Sequence, residues 1–308
     1  MRPTLRQLQY VVAVAETGRF NEAARLMNVS QPSLSAQIAE AESHLGVRLI
    51  ERGRKGAILT PIGEEVVRRA RRVLTEVEDI KTVVRRSAGQ LEGRFRLGTL
   101  PTLGPYLLPT AATQLHARFP ELRLSVREED TRSLDEKLKD GRLDMLISTS
   151  EDHLDTASMH LFDEQLFVCA ANDHELSAED GPVSLDELKG CEILTLGNGF
   201  RLSLIVQDMA RTAEAHISTE YEGTSLDAIR QMAVMGAGVA ILPSLYALVE
   251  ARRDPFQVVR PLDFPAARRS ISLVWRQDSP LAPSMESIGK VLREVAASIL
   301  STDVPLPS

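Results

Sequence analysis

The run from Asn21 to Leu45 constrains this chain more than any other, because it spells two short helices joined by a tight turn. The first helix can begin at Asn21, whose side chain is able to accept from a free backbone N–H, and it packs through Phe20, Ala23, Ala24 and Met27. The two alanines are small enough for a steep helix crossing, and Val29 is placed to plug the corner. Ser30 is the expected cap of the second helix. Its apolar positions Leu34, Ile38, Ala41 and Leu45 step by four, three and four and form one narrow stripe. Gln31, Pro32 and Ser33 lie off that stripe in the first turn. A helix that enters a DNA groove needs this division, an apolar back and short polar side chains at its N-terminal end, where Gln can pair with adenine through both ends of its amide. Asn21, Ser30, Gln31, Pro32, Ser33, Ser35 and Gln37 are therefore the candidate DNA contacts of the helix pair. The alternative makes Gln31 and Ser33 first-turn capping residues only.

The segment beyond the helix pair strengthens the DNA reading. Leu49 to Pro61 reads as strand, basic glycine-flanked turn and strand, which puts Arg52, Arg54 and Lys55 on a wing that can lie against phosphates. Residues 1–60 are thus expected to form a winged helix-turn-helix. The formal net charge of −7 opposes a nucleic-acid partner until it is divided along the chain. Residues 1–90 hold 15 Lys and Arg against 10 Asp and Glu, a net of +5, which leaves −12 for residues 91–308. At 308 residues the chain has room for two or three domains. No apolar run is long enough to cross a bilayer, and the N-terminus lacks the apolar core of a signal peptide, so no membrane partner and a cytoplasmic location are expected. Two cysteines without metal-ligand spacing fit a reducing compartment, and neither a metal nor a cofactor is expected.

Thr60-Pro61 is a good helix start, a cap followed by proline at the first helical position, and the helix is expected to run to about Ser87. Val66, Ala70, Val73, Val77, Ile80 and Val84 are spaced as a heptad seam of nearly three repeats, about 28 Å at ~1.5 Å per residue. Val67 and Leu74 widen the stripe, so a helix packed on its own domain is the alternative. The favoured reading of residues 61–90 is a dimerising linker helix. A homodimer so joined presents two winged domains to an operator with dyad symmetry.

From Leu91 the pattern changes to alternating strands and helices. Strands are expected at Arg94–Leu100, Leu122–Arg127 and Asp144–Ser148, with helices at Gly104–Arg118 and Ser133–Leu138 between them. A second set has strands at Leu166–Ala170, Glu192–Leu196, Ser218–Tyr221 and Val239–Leu242, and helices at Ser203–Ala215 and Ser225–Met235. The final strand, Ser270–Arg276, and the helix Pro283–Leu300 return to the first set. The result is an α/β two-lobed arrangement similar to a periplasmic binding protein, whose ligand sits in the cleft. Lobe I covers about 91–163 and 269–308, lobe II about 164–268.

The whole chain resembles a LysR-type transcriptional regulator, with winged helix-turn-helix, linker helix and two-lobed effector domain. The runs Leu100–Pro109, Leu161–Glu164, Thr224–Leu226 and Arg268–Arg276 resemble the peroxide-responsive OxyR branch of that family. The resemblance implies control by a small effector, assembly into dimers and tetramers, and RNA polymerase as a further candidate partner. It also exposes a departure. OxyR proteins sense peroxide with a cysteine that follows Gly-His, partnered by a second cysteine nine residues on. The matching run here is Gly199-Phe200-Arg201, and the second position falls at Ala210. Cys169 and Cys191 have no clear activating neighbours and read as packed cysteines.

The family's pocket maps onto Thr102, Thr131 and Arg269, and Leu103, Gly199, Phe200, Arg201 and Thr224 join them as candidate ligand residues. Thr102 falls near one helix start, Thr224 with Asp227 looks like a cap at another, and Gly197-Asn198-Gly199 precedes a third. Helix N-termini that converge on a cleft suit an anion, to which Arg201 or Arg269 would add a cation. The expected effector is an anion or polar metabolite. Each residue also has a plainer reading: Thr102 and Thr224 as caps, Arg201 as a solvated charge, Arg269 as an ion pair.

The alternatives are an oxidative-stress regulator with a non-standard redox mechanism, and a two-lobed solute-binding or enzymatic protein. The enzymatic reading is disfavoured. Gly236-Ala237-Gly238 lacks the third glycine and the preceding strand of a dinucleotide fingerprint, no Gly-x-Ser-x-Gly or His-Glu-x-x-His is present, and the six histidines show no ligand-like spacing.

Overall fold

The computed structural model describes residues 3–53, 56–86, 91–197, 200–220, 223, 225–250, 257–266 and 268–301, with the side chains of 52, 78, 79 and 81–86 excepted. The chain divides into two compact units, one of residues 1–89 with 139–142 and the other of 90–138 with 143–308. No helix among the described residues is long and apolar enough to cross a membrane.

The first unit opens with α1 (Leu5–Thr17). Thr4 Oγ1 accepts from the Gln7 N–H at 3.2 Å while Gln7 Oε1 accepts from the Thr4 N–H at 2.9 Å, so two otherwise orphaned donors are satisfied reciprocally. Next come α2 (Phe20–Leu26) and α3 (Gln31–Leu45). Asn21 is not the cap expected of it: the extended residue before the first turn is Arg19, without a side-chain cap bond, and Asn21 sits exposed inside the helix. Ser30 does cap α3, its Oγ accepting from the Ser33 N–H at 3.3 Å. Leu34, Ile38 and Ala41 are buried as their spacing requires, but Leu45 is 37 % exposed. The stripe ends a step early because Gly46, at φ 71°, turns the chain out of the helix there. These helices share a core with Tyr10, Val11, Val14, Ala23, Ala24 and Leu49.

Strands β1 (Ile50–Gly53) and β2 (Gly56–Leu59) form the antiparallel hairpin of the wing. Then α4 (Pro61–Arg86) begins as expected, Thr60 Oγ1 accepting from the Gly63 N–H at 3.0 Å. Position 63 tolerates only glycine, since a Cβ there would stand 2.1 Å from the Leu49 carbonyl oxygen. Along α4, Val67 and Ala70 are buried within the single chain, whereas Val73 and Ile80 are 43 % and 62 % exposed. Ala70 therefore offers no surface to a second chain. The side chain of Val84 lies outside the described residues.

In the second unit, β3 (Gly93–Thr99), α5 (Gly104–Arg118), β4 (Leu122–Glu128), α6 (Thr131–Lys139) and β5 (Met145–Thr149) make parallel βα crossovers, with β3 between β4 and β5. The 16-residue β6 (Thr156–Ala171) comes next. Lobe II adds β7 (Glu192–Leu194), α7 (Arg201–Thr212), β8 (His216–Ile217), α8 (Leu226–Val234), β9 (Val239–Pro243), α9 (Ser244–Val249) and β10 (Gln257–Pro261). The chain then returns through β11 (Arg268–Arg276) and α10 (Ala282–Leu300) to lobe I.

Two antiparallel strands join the lobes. The first half of β6 pairs with β11, which also pairs with β5, and the second half pairs with β9 and β10. The expected strand Leu166–Ala170 is thus only the lobe II end of a longer one. The expected strand Ser218–Tyr221 is instead the two-residue β8, set by parallel pairing of His216 and Ile217 with β7. Each lobe has its own apolar core: Phe95, Leu107, Leu146 and Ile288 in lobe I, and Val168, Ile193, Val206 and Ile241 in lobe II.

Candidate functional site

At the first turn of α3, Pro32 and Ser33 are exposed, as is Ala36 one turn on, and Gln31 and Ser35 are half-buried. Gln37 is engaged at home: its Nε2 donates to Glu40 Oε2 at 3.0 Å, and its Oε1 accepts from Gln7 Nε2 at 3.4 Å. The sharpest outward-facing pair is therefore Pro32 and Ser33. Arg52 belongs to β1 by its backbone, while its side chain, Arg54 and Lys55 lie outside the described residues.

The sequence-predicted ligand residues fall into two groups. One surrounds a cavity of about 470 Å³ lined by Thr131, Arg132, Asp135, Asp152, Phe200, Arg201 and Leu204. The first four come from lobe I and the last three from lobe II. Phe200, extended, is the residue before α7, so Arg201 and Leu204 project from that helix's first turn. Arg201 is not the free cation expected of it. Its Nη1 donates to Asp152 Oδ1 at 3.0 Å, and its Nη2 lies 3.1 Å from Glu151 Oε2. The His153 ring is buried behind this wall and its Nδ1 donates to Asp135 Oδ1 at 3.1 Å. Thr131 Oγ1 and Asp152 Oδ2 are buried and have no hydrogen-bond partner among the described residues. Sequence reasoning missed Arg132, Asp135, Asp152 and Leu204. The adjacent acidic pair Glu151-Asp152 was the available signal for a partner to Arg201.

The other group is not brought to this cavity. Thr102, Leu103 and Arg269 are buried, and Arg269 forms a two-bonded ion pair with the equally buried Glu164, its Nε donating to Oε2 at 2.8 Å. Thr102 Oγ1 accepts from the same guanidinium at 3.4 Å. Burial pushes the Glu164 carboxyl up, against the pull of Arg269. The plainer reading of Arg269, an ion pair, is the one that holds. The expected helix cap at Thr224 is corrected to Ser225, whose Oγ accepts from the Ala228 N–H at 3.2 Å; Thr224 and Gly199 lie outside the described residues.

Neither cysteine is placed for a thiol switch at this cavity. Cys169 is buried in β6 with its Sγ donating to Gln257 Oε1 at 3.4 Å. Cys191 is half-buried, and burial together with Glu175 pushes its thiol up. Neither is joined in a disulfide.

Residues 5–64 match the family described as "Bacterial regulatory helix-turn-helix protein, lysR family", and residues 88–297 match the "LysR substrate binding domain". The chain belongs to the LysR family. Among the relatives of this LysR regulator is the hydrogen peroxide-inducible genes activator of Haemophilus influenzae, 34 % identical over 297 residues that cover 96 % of this chain and 98 % of the relative. The DNA-binding transcriptional dual regulator OxyR of Escherichia coli is 35 % identical, covering 94 % of each. A full-length OxyR of Pseudomonas aeruginosa with a cysteine-to-aspartate substitution superimposes with a TM-score of 0.79 at 32 % identity, covering 95 % of this chain and 98 % of that one. The winged N-terminal domain and two-lobed effector domain are therefore those of a LysR regulator, and the periplasmic-binding-protein likeness is one of fold.

Proposed function

We propose that this LysR regulator binds an operator with dyad symmetry through Gln31, Pro32, Ser33 and the Arg52–Lys55 wing, as a homodimer or tetramer joined along residues 61–90. Its effector is a small polar metabolite held in the cavity between Thr131 and Arg201. One observation carries this reading: where the resemblance places a peroxidatic cysteine, residues of both lobes instead surround a cavity of about 470 Å³. That volume falls in the usual ligand range of about 300–1,000 Å³. A water molecule's share of the liquid is only about 30 Å³, so peroxide would leave most of the space unfilled. The relatives named as peroxide-inducible activators favour a second reading, an oxidative-stress regulator working without the thiol pair.

The test is thermal melting of the full chain against a panel of organic acids, amines and sugars, with hydrogen peroxide as a separate arm, followed by operator footprinting with each hit. A compound that stabilises the protein and shifts the footprint, but does neither in Leu204→Trp, supports the metabolite reading. A footprint shifted by peroxide and not by any panel member, and lost in Cys169→Ser/Cys191→Ser, replaces it with the redox reading.

A further inference from the structure

We propose that the ligand of this cavity carries a protonated amine on an apolar group, a class that rests on the cavity being the effector site. Charge decides the first half. Both guanidinium groups of the lining are already countered, Arg201 by Glu151 and Asp152, and Arg132 by Glu136 at 3.2 Å. One helix N-terminus beside the cavity is also supplied, that of α6, while α7, whose first turn lines the cavity, has no side-chain cap among the described residues. Asp130 accepts from the Ser133 N–H at 3.0 Å in the first turn of α6. An incoming carboxylate would have to displace Asp130 at α6, and at α7 it would meet an Arg201 already shared by Glu151 and Asp152.

The unfilled capacity has the opposite character. Asp152 Oδ2 can only accept, and Thr131 Oγ1 can donate or accept; both are buried without a partner among the described residues, and both belong to lining residues. An ammonium group supplies several donors and a positive charge to that oxygen.

Shape decides the second half. Phe200 is buried at the wall, and Leu204, 63 % exposed, is shared with an adjoining cavity of about 290 Å³ whose other lining residues are Arg201, Ile205, Asp208, Phe264 and Ala266. Asp208 there is paired with Arg211. An apolar arm extending from the ammonium past Leu204 would cover Ile205 and Phe264.

The experiment is calorimetric titration of the full chain with three probes of like apolar group: 2-phenylethylamine, 2-phenylethanol and 3-phenylpropanoate. The amine should bind at least about tenfold more tightly than either of the others, as a charge-assisted bond implies. Asp152→Asn should weaken the amine about tenfold and shrink its advantage over the alcohol. Thr131→Val, which removes the hydroxyl at nearly constant volume, should act in the same direction and serves if Asp152→Asn melts early. Carboxylate binding as tight as amine binding, abolished by Leu204→Trp, overturns the amine class and leaves the cavity as the effector site. Amine binding unaffected by Leu204→Trp overturns both. Failure of all three probes overturns the class, and the metabolite panel then decides the cavity on its own.

Discussion

Replacing Arg269 with Met would remove one partner of a pair in which both side chains are fully buried. The methionine keeps much of the arginine's apolar stem but leaves the Glu164 carboxylate without its cation, a loss of about 3–5 kcal/mol by comparison with other broken buried pairs. For a unit of this size that corresponds to a fall in melting temperature of about 6–20 °C. The sole tryptophan, Trp275, is buried on the same strand and gives a fluorescence signal for urea unfolding of this unit. The deficit should also depend on pH. In the variant the buried Glu164 is protonated more readily folded than unfolded, so its penalty is small below the ordinary glutamate pKa and grows as pH rises through that value towards the folded one. Arg269→Met should therefore be closer to wild type at about pH 5 than at about pH 8. Arg269→Met/Glu164→Leu should recover most of the loss, because no uncompensated charge remains. If Arg269→Met unfolds within about 1 kcal/mol of wild type at both pH values, the pair is not the buried structural element described, and Arg269 returns as a candidate ligand residue.

Ser33→Glu places a carboxylate on the exposed first turn of α3 and should abolish the operator footprint without unfolding; protection at wild-type affinity would refute the assignment of that helix. Val73→Glu/Ile80→Glu puts charges on two exposed apolar positions of the α4 seam and should lower the mass measured by light scattering, an unchanged mass ruling out that seam. The raised thiol of Cys191 should alkylate with iodoacetamide more slowly than free cysteine at neutral pH, with its rate midpoint at higher pH, and Cys169 should label only on unfolding. Mass spectrometry that finds Cys191 labelled as fast as free cysteine would reverse the conclusion about its environment.

Local chemistry was legible where it acts alone. The α5 span was readable at both ends, and the caps Ser30 and Thr60 are set by neighbouring residues. The Thr4–Gln7 box is equally local, though it lies ahead of the helix pair that signals DNA. The lobe I half of β6 was hidden by Asp163, Glu164 and Gln165, which look like a turn; Glu164 is tolerated in the strand only because Arg269 meets it 105 residues later. The same limit governs the site. Phe200, Arg201 and Thr131 were reachable through the family resemblance, but nothing local says that Asp152 and Arg201, 49 residues apart, satisfy each other. An arginine without a visible partner in the sequence suggested an anion, and its partner removes that reason.

The interleaving of lobe I has a consequence for synthesis. Strand β5 takes β11 as its neighbour, and α10 contributes Met285, Ile288, Leu292 and Val295 to the same core as Leu107 and Leu115 of α5. A ribosome must therefore finish lobe II and nearly the whole chain before the first lobe begun can close. Until then the growing polypeptide carries an open strand edge and an uncovered apolar face, the kind of surface that invites misassembly or chaperone capture. Loss of the last helix by a premature stop should thus be felt first at the lobe translated earliest.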